Sequence, residues 1–190
     1  MSKLCKKFHP LGDKMKLWFG SGAVLLVSYF LLRGSPLLHQ SPRYVKLADQ
    51  ITAKAAKKFY EEKKLKTIGT GGRMMRDIQM MAMSFFFYEE VDLAKAREIA
   101  TYAVKEYLAA INADPEIKPY LHDDPFTTKN VGIRIWFSKP DGRDLPWGKI
   151  HYVSSLDGTI NYYIQVGENS RKAICTETYE QALQKVSSRL

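Results

Sequence analysis

The chain has 190 residues, 45% hydrophobic and 12% aromatic, which suits one packed domain with a terminal extension and excludes a wholly disordered chain. Its net charge of +9 is unevenly placed: residues 1–40 hold six Lys or Arg against one acid, residues 41–76 ten against three, and residues 77–190 thirteen against sixteen. A nucleic-acid protein carries its basic face on the folded body, so this distribution points away from that class, and two cysteines, Cys5 and Cys175, exclude a disulfide framework and a cysteine zinc site.

Residues 1–16 form a basic N-terminus with Lys3, Lys6, Lys7, Lys14 and Lys16. The stretch LWFGSGAVLLVSYFLL, residues 17–32, carries no charge and is bounded by Lys16 and Arg33. As a helix it covers roughly 24 Å, slightly less than a hydrocarbon core of about 30 Å. Lys16 and Arg33 can snorkel to the membrane surface and extend the reach. We therefore expect a transmembrane signal anchor over 17–33. A cleaved signal peptide is the alternative, but Arg33-Gly34-Ser35-Pro36 makes a poor cleavage site. A buried core helix is the other, and the lysine-rich flank argues against it. The lysine excess before the span places the N-terminus in the cytoplasm and the domain on the far side. A bacterial inner membrane with a periplasmic domain, or a mitochondrial inner membrane, fits that topology.

Residues 34–42 (GSPLLHQSP) read as a linker, and 43–190 as a single globular α+β domain. The spacing of Tyr44, Leu47, Ala48, Ile51, Ala55 and Phe59 predicts a helix over about 42–64 with a lysine-rich outer face. That face is either an ordinary solvated surface or one that lies near anionic lipid.

The glycine-rich stretch TIGTGGR, residues 67–73, matches neither a Walker loop nor a dinucleotide fingerprint. It reads as a tight turn between helices. The competing reading is an anion site formed by Gly71, Gly72 and Arg73 at a helix start. Residues 72–90 (GRMMRDIQMMAMSFFFYEE) are apolar on nearly every side and read as a second, deeply buried helix. Its methionines and phenylalanines could line a pocket for a small ligand or lipid. A third helix is expected over 92–112, with Asp92 as its cap.

His122, Asp123 and Asp124 are three potential metal ligands in a row, but adjacent loop residues cannot easily face one ion, so no metal is assigned. Strands follow at 131–137, about 150–154, 160–166 and 173–175, an antiparallel meander turned by Asp157-Gly158 and by Glu168-Asn169-Ser170. Thr178-x-x-Gln181 has the form of a capping box for a last helix over 179–188. The expected fold is thus a transmembrane helix, then three helices packed on a four-stranded antiparallel meander with a C-terminal helix.

On the strands, Trp136, His151 and Tyr163 fall on the face opposite the expected core. They are the candidate partner-binding residues. No catalytic motif is present, and no catalytic residue or cofactor is assigned. A thiol enzyme pairing Cys175 with His151 is the least supported reading. The sequence is best read as a non-catalytic, single-pass membrane-anchored domain that binds a protein partner in a membrane-associated assembly. The small-ligand module is the second choice.

Overall fold

The computed structural model describes residues 41–168 and 170–188. The chain divides into two units, Met1–Gln40 and Ser41–Leu190, and the described residues belong to the second. The span expected at 17–33, with Lys16 and Arg33, lies outside the described residues. Among the described residues no helix is long and apolar enough to cross a membrane, so the architecture of 41–188 contains no transmembrane helix and the expected fold is corrected there.

Helix α1, Arg43–Lys63, buries Leu47, Ala48, Ile51, Ala55 and Phe59 along one stripe. It stops where Lys64 turns left-handed at φ 57°, and the Leu65 amide reaches back to the Phe59 carbonyl. No helix follows. Strand β1, Lys66–Met74, and strand β2, Ile78–Phe87, pair antiparallel as a hairpin over the residues expected to form the second helix. The physical reason is period two: Met81, Met83, Phe85 and Phe87 are buried on one face, whereas Met80, Ser84 and Phe86 on the other are half-buried and the small Ala82 there is buried too. Both faces carry apolar side chains, so the alternation is masked in hydropathy and the segment resembles a helix buried all round.

Helix α2, Leu93–Ala113, starts where the Asp92 carboxylate accepts from the Lys95 amide at 2.7 Å. It carries the chain back along the sheet to strand β3, Val131–Phe137, which pairs parallel with β2. Strands β4, Ile150–Leu156, β5, Thr159–Gly167, and β6, Ser170–Thr178, continue antiparallel. The result is a six-stranded mixed sheet in the order β1-β2-β3-β4-β5-β6. This replaces the expected four-stranded antiparallel meander. A parallel pair needs a long crossover, and α2 is that crossover rather than one of three helices in succession. Helix α3, Tyr179–Ser187, begins with a reciprocal capping box between Thr178 and Gln181.

The core lies between the helices and one face of the sheet. It joins Leu47, Ile51 and Phe59 of α1 and Ala96, Ala100, Val104 and Tyr107 of α2 to Met81, Met83, Phe85, Ile133, Ile135, Val153, Ile160 and Tyr162. Asn130 ties the crossover to the sheet: its side-chain amide donates to the Gln79 carbonyl and to Asp123. Among the described residues no helix covers the other face of the sheet.

Candidate functional site: the open face of the sheet

The strand registers order the open face into rows that run across the strands. In one row Lys66, Phe86, Trp136, Tyr152, Tyr163 and Ala173 are successive cross-strand partners. Its rings touch in sequence. Phe86 and Trp136 have centroids 6.3 Å apart, Trp136 and Tyr152 4.8 Å, and Tyr152 and Tyr163 5.5 Å. Tyr88 extends the row at 5.8 Å from Phe86. All are half-buried, so each ring packs on its neighbours and still meets solvent. Such tilted pairs add about 0.5–1.5 kcal/mol each beyond burial.

The next row is polar: Gly69, Ser84, Arg134, Ser154, Asn161 and Thr176 pair in turn. Beyond it Gly71, Ala82 and Gly132 pair as a run of small residues. A Cβ at Gly71 would meet nothing within 4 Å, which marks open space over β1. The face is therefore a shelf of small and polar residues, open at Gly71 and buried at Ala82 and Gly132, beside a wall of rings.

The rows of this face carry cations only, and acids stand at its edge, where Asp144 and Glu168 line a cavity with Arg171. Lys66, Arg73, Arg134 and Arg171 are exposed there and pair with no described carboxylate, while no Asp or Glu stands in the two six-residue rows or the small-residue run. The Arg171 guanidinium lies 5.3 Å from the centre of the Tyr152 ring, and the Lys66 ammonium 5.7 Å from that of Tyr88.

Trp136 and Tyr163 thus belong to one site, joined through Tyr152. His151 does not join the row. A register irregularity between Ile150 and Tyr152 sets it beside a cavity of about 440 Å³ lined by Asp144, His151, Gln165, Glu168, Ser170 and Arg171. There the Nδ1 atom of His151 and the Oε1 atom of Gln165 are buried without hydrogen-bond partners. Burial, with Arg171 nearby, lowers the His151 pKa and keeps its ring neutral. Phe86, Tyr88 and Tyr152 were missed in the sequence. The first two fell in the supposed second helix, and the third was given the core side because the irregularity that reverses it has no sequence signal.

The other candidates are placed as follows. Gly71 and Gly72 stand in β1, so the helix start on which an anion site depended is absent; Arg73 belongs to the open face. Met81, Met83 and Phe85 are fully buried in the core and border none of the three cavities described, whereas Phe87 borders two of them, in each case beside Lys64 and Glu89. Cys175 pairs with Tyr162 on β5, and β5 lies between it and His151 on β4. Two strand spacings, about 10 Å, separate those positions. His122 holds Asp77 at 2.7 Å and Asp123 accepts from Asn130, so neighbouring residues of that loop face different partners. Among the described residues no group of three His, Cys, Asp or Glu could hold a metal.

On the helical side, sequence reasoning also missed a buried ion cluster. Arg97 Nε of α2 donates to Glu177 of β6 at 2.6 Å, and Lys185 of α3 donates to the same carboxylate at 2.6 Å. Burial opposes ionisation of Glu177, but the hydrogen bonds from Arg97 and Lys185 outweigh it and hold the carboxyl below its ordinary range. The Tyr162 hydroxyl is beside this carboxylate without ideal hydrogen-bond geometry, and burial first, then Glu177, pushes its pKa up. The cluster joins both later helices to the last strand.

No protein-family model matches the chain, and no curated protein or solved structure does.

Proposed function

We propose that residues 41–190 form a non-catalytic binding module that takes a protein partner on the open face of the sheet. The observation that carries this reading is the row Phe86, Trp136, Tyr152 and Tyr163, four rings in contact across four strands with no described helix above them. A half-exposed aromatic surface of this kind is what interface cores are made of. The residue types that a catalyst needs are either apart, as Cys175 and His151 are, or engaged at the surface, as His122 is with Asp77.

The test places a photo-crosslinking amino acid at Trp136, at Tyr163 and, as a control on α1, at Lys54 of the full chain in its native cells. One protein should crosslink from both sheet positions and not from Lys54, and Trp136→Ala should remove it when the crosslinker is at Tyr163. The reading is wrong if the sheet positions capture nothing beyond what Lys54 captures.

A further inference from the structure

Three arginines of the open face step across it from one edge of the sheet to the other. Arg73 stands on β1, Arg134 on β3 and Arg171 on β6. From Arg73 to Arg134 the path crosses two strand spacings and two residue rows, about 16 Å; from Arg134 to Arg171 it crosses three and two, about 20 Å. Between them lie the small residues Gly71, Ala82 and Gly132, and the path then crosses the wall of rings at Tyr152 and Tyr163.

Resting on the protein-partner reading above, we propose that the occupant is an acidic, extended polypeptide segment of about twelve residues, with carboxylates on Arg73, Arg134 and Arg171 and apolar side chains against the rings. At about 3.3 Å per extended residue, the arginine separations match acids five or six positions apart. Charge complementarity carries the identification. The helical side and the loops bring many cations to carboxylates, including Arg43 to Glu116, Lys58 to Glu106 and Lys149 to Glu90. Arg73, Arg134, Arg171 and Lys66 form no ion pair with a described carboxylate; Asp144 and Glu168 line the cavity beside Arg171 and Glu89 the one beside Lys66, whereas Arg73 has Met80 and Arg134 has Ser84 and Ser154 as cross-strand neighbours.

Single-stranded nucleic acid is the other polymer that a basic aromatic surface suggests, and the ring geometry disfavours it. A base stacks on a free ring face. Tyr152 has Trp136 at 4.8 Å, Tyr163 at 5.5 Å and the Arg171 guanidinium at 5.3 Å, so its faces are already taken.

The experiment measures fluorescence anisotropy of the full chain with labelled probes of about twelve residues: alternating Glu and Leu, the same with Gln for Glu, the same with Lys for Glu, and an oligothymidine of similar length. The Glu probe should bind at least about tenfold tighter than the Gln and Lys probes and weaken as salt rises. Arg134→Glu should cost about tenfold or more, Arg134→Lys should keep most of the binding, and Lys46→Glu on α1 should leave it unchanged. Equal binding of the Glu and Gln probes overturns the proposal, as does an Arg134→Glu chain that binds like wild type or no binding up to about 1 mM. Tighter binding of oligothymidine reassigns the face to nucleic acid, and probe binding blocked by self-association in sedimentation reassigns it to a second copy. Either result rejects an acidic peptide. If the probes fail while crosslinks from Trp136 and Tyr163 persist, only the acidic character is wrong. Loss of those crosslinks removes the protein-partner reading itself.

Discussion

The two faces of the sheet come from the same strands and often from the same residue types, yet they treat side chains in opposite ways. Phe85 is fully buried against Phe59 of α1, while its neighbour Phe86 lies half-exposed between Tyr88 and Trp136. On the helical side a buried arginine is neutralised by Glu177 at 2.6 Å; on the open side Arg134 faces solvent between Ser84 and Ser154. One face spends its apolar area and its charge on folding. The other keeps both available, and that contrast, more than any single motif, locates the functional surface.

Replacing the adjacent phenylalanines tests the contrast most severely. Phe85→Ala opens a void in the closed core and should cost about 3–5 kcal/mol in urea unfolding. Phe86→Ala removes contacts with two half-exposed rings and should cost roughly 1 kcal/mol. Similar costs would mean that the open face is covered and folded against something, and the two-face description would fail.

The buried cluster gives the next largest effect. Glu177→Gln leaves Arg97 and Lys185 without a counter-charge, and breaking a buried pair this way costs about 3 kcal/mol or more near neutral pH. The sign with pH follows from the direction of the shift. Glu177 titrates lower when folded than when unfolded, so its contribution is complete above the unfolded value of about 4.3 and is lost as pH falls through the folded value. The gap between wild type and Glu177→Gln should therefore narrow below about pH 4. A gap that is constant with pH would show that the carboxylate charge is not what holds α2 and α3 to β6. Arg134→Gln on the open face, by comparison, should change stability by less than about 0.5 kcal/mol at any pH.

These residues also show what could be read from the sequence. The stripes of α1 and α2, the Asp92 cap and the Thr178–Gln181 box are local signals, and each acts within one or two turns. The 131–137 strand was legible because Arg134 interrupts its apolar run. The β1–β2 hairpin was not, because the open face is itself aromatic and small rather than polar, so Met80 through Phe87 show no polarity alternation. The parallel pairing of β2 with β3 is a long-range property with no local mark. Trp136 and Tyr163 could be assigned to the site one strand at a time, but only the register joins them through Tyr152, and only the register adds Phe86.

The smallest effect comes from the glycines of β1, and it separates stability from binding. At Gly72 a Cβ would sit 2.4 Å from the Met80 carbonyl oxygen, a backbone atom that must move, so Gly72→Ala should cost about 1–3 kcal/mol. At Gly71, one residue away, a Cβ meets nothing within 4 Å, so Gly71→Ala should leave stability within about 0.5 kcal/mol of wild type. A larger side chain there, Gly71→Phe, still points into open space but stands on the shelf between Arg73 and Arg134. It should fold normally and lose the acidic probe. If Gly71→Phe binds as wild type does, the segment does not cross β1, and the site contracts to the rings and Arg171. If it loses binding while its unfolding curve is unchanged, the empty space over Gly71 is space that a partner fills.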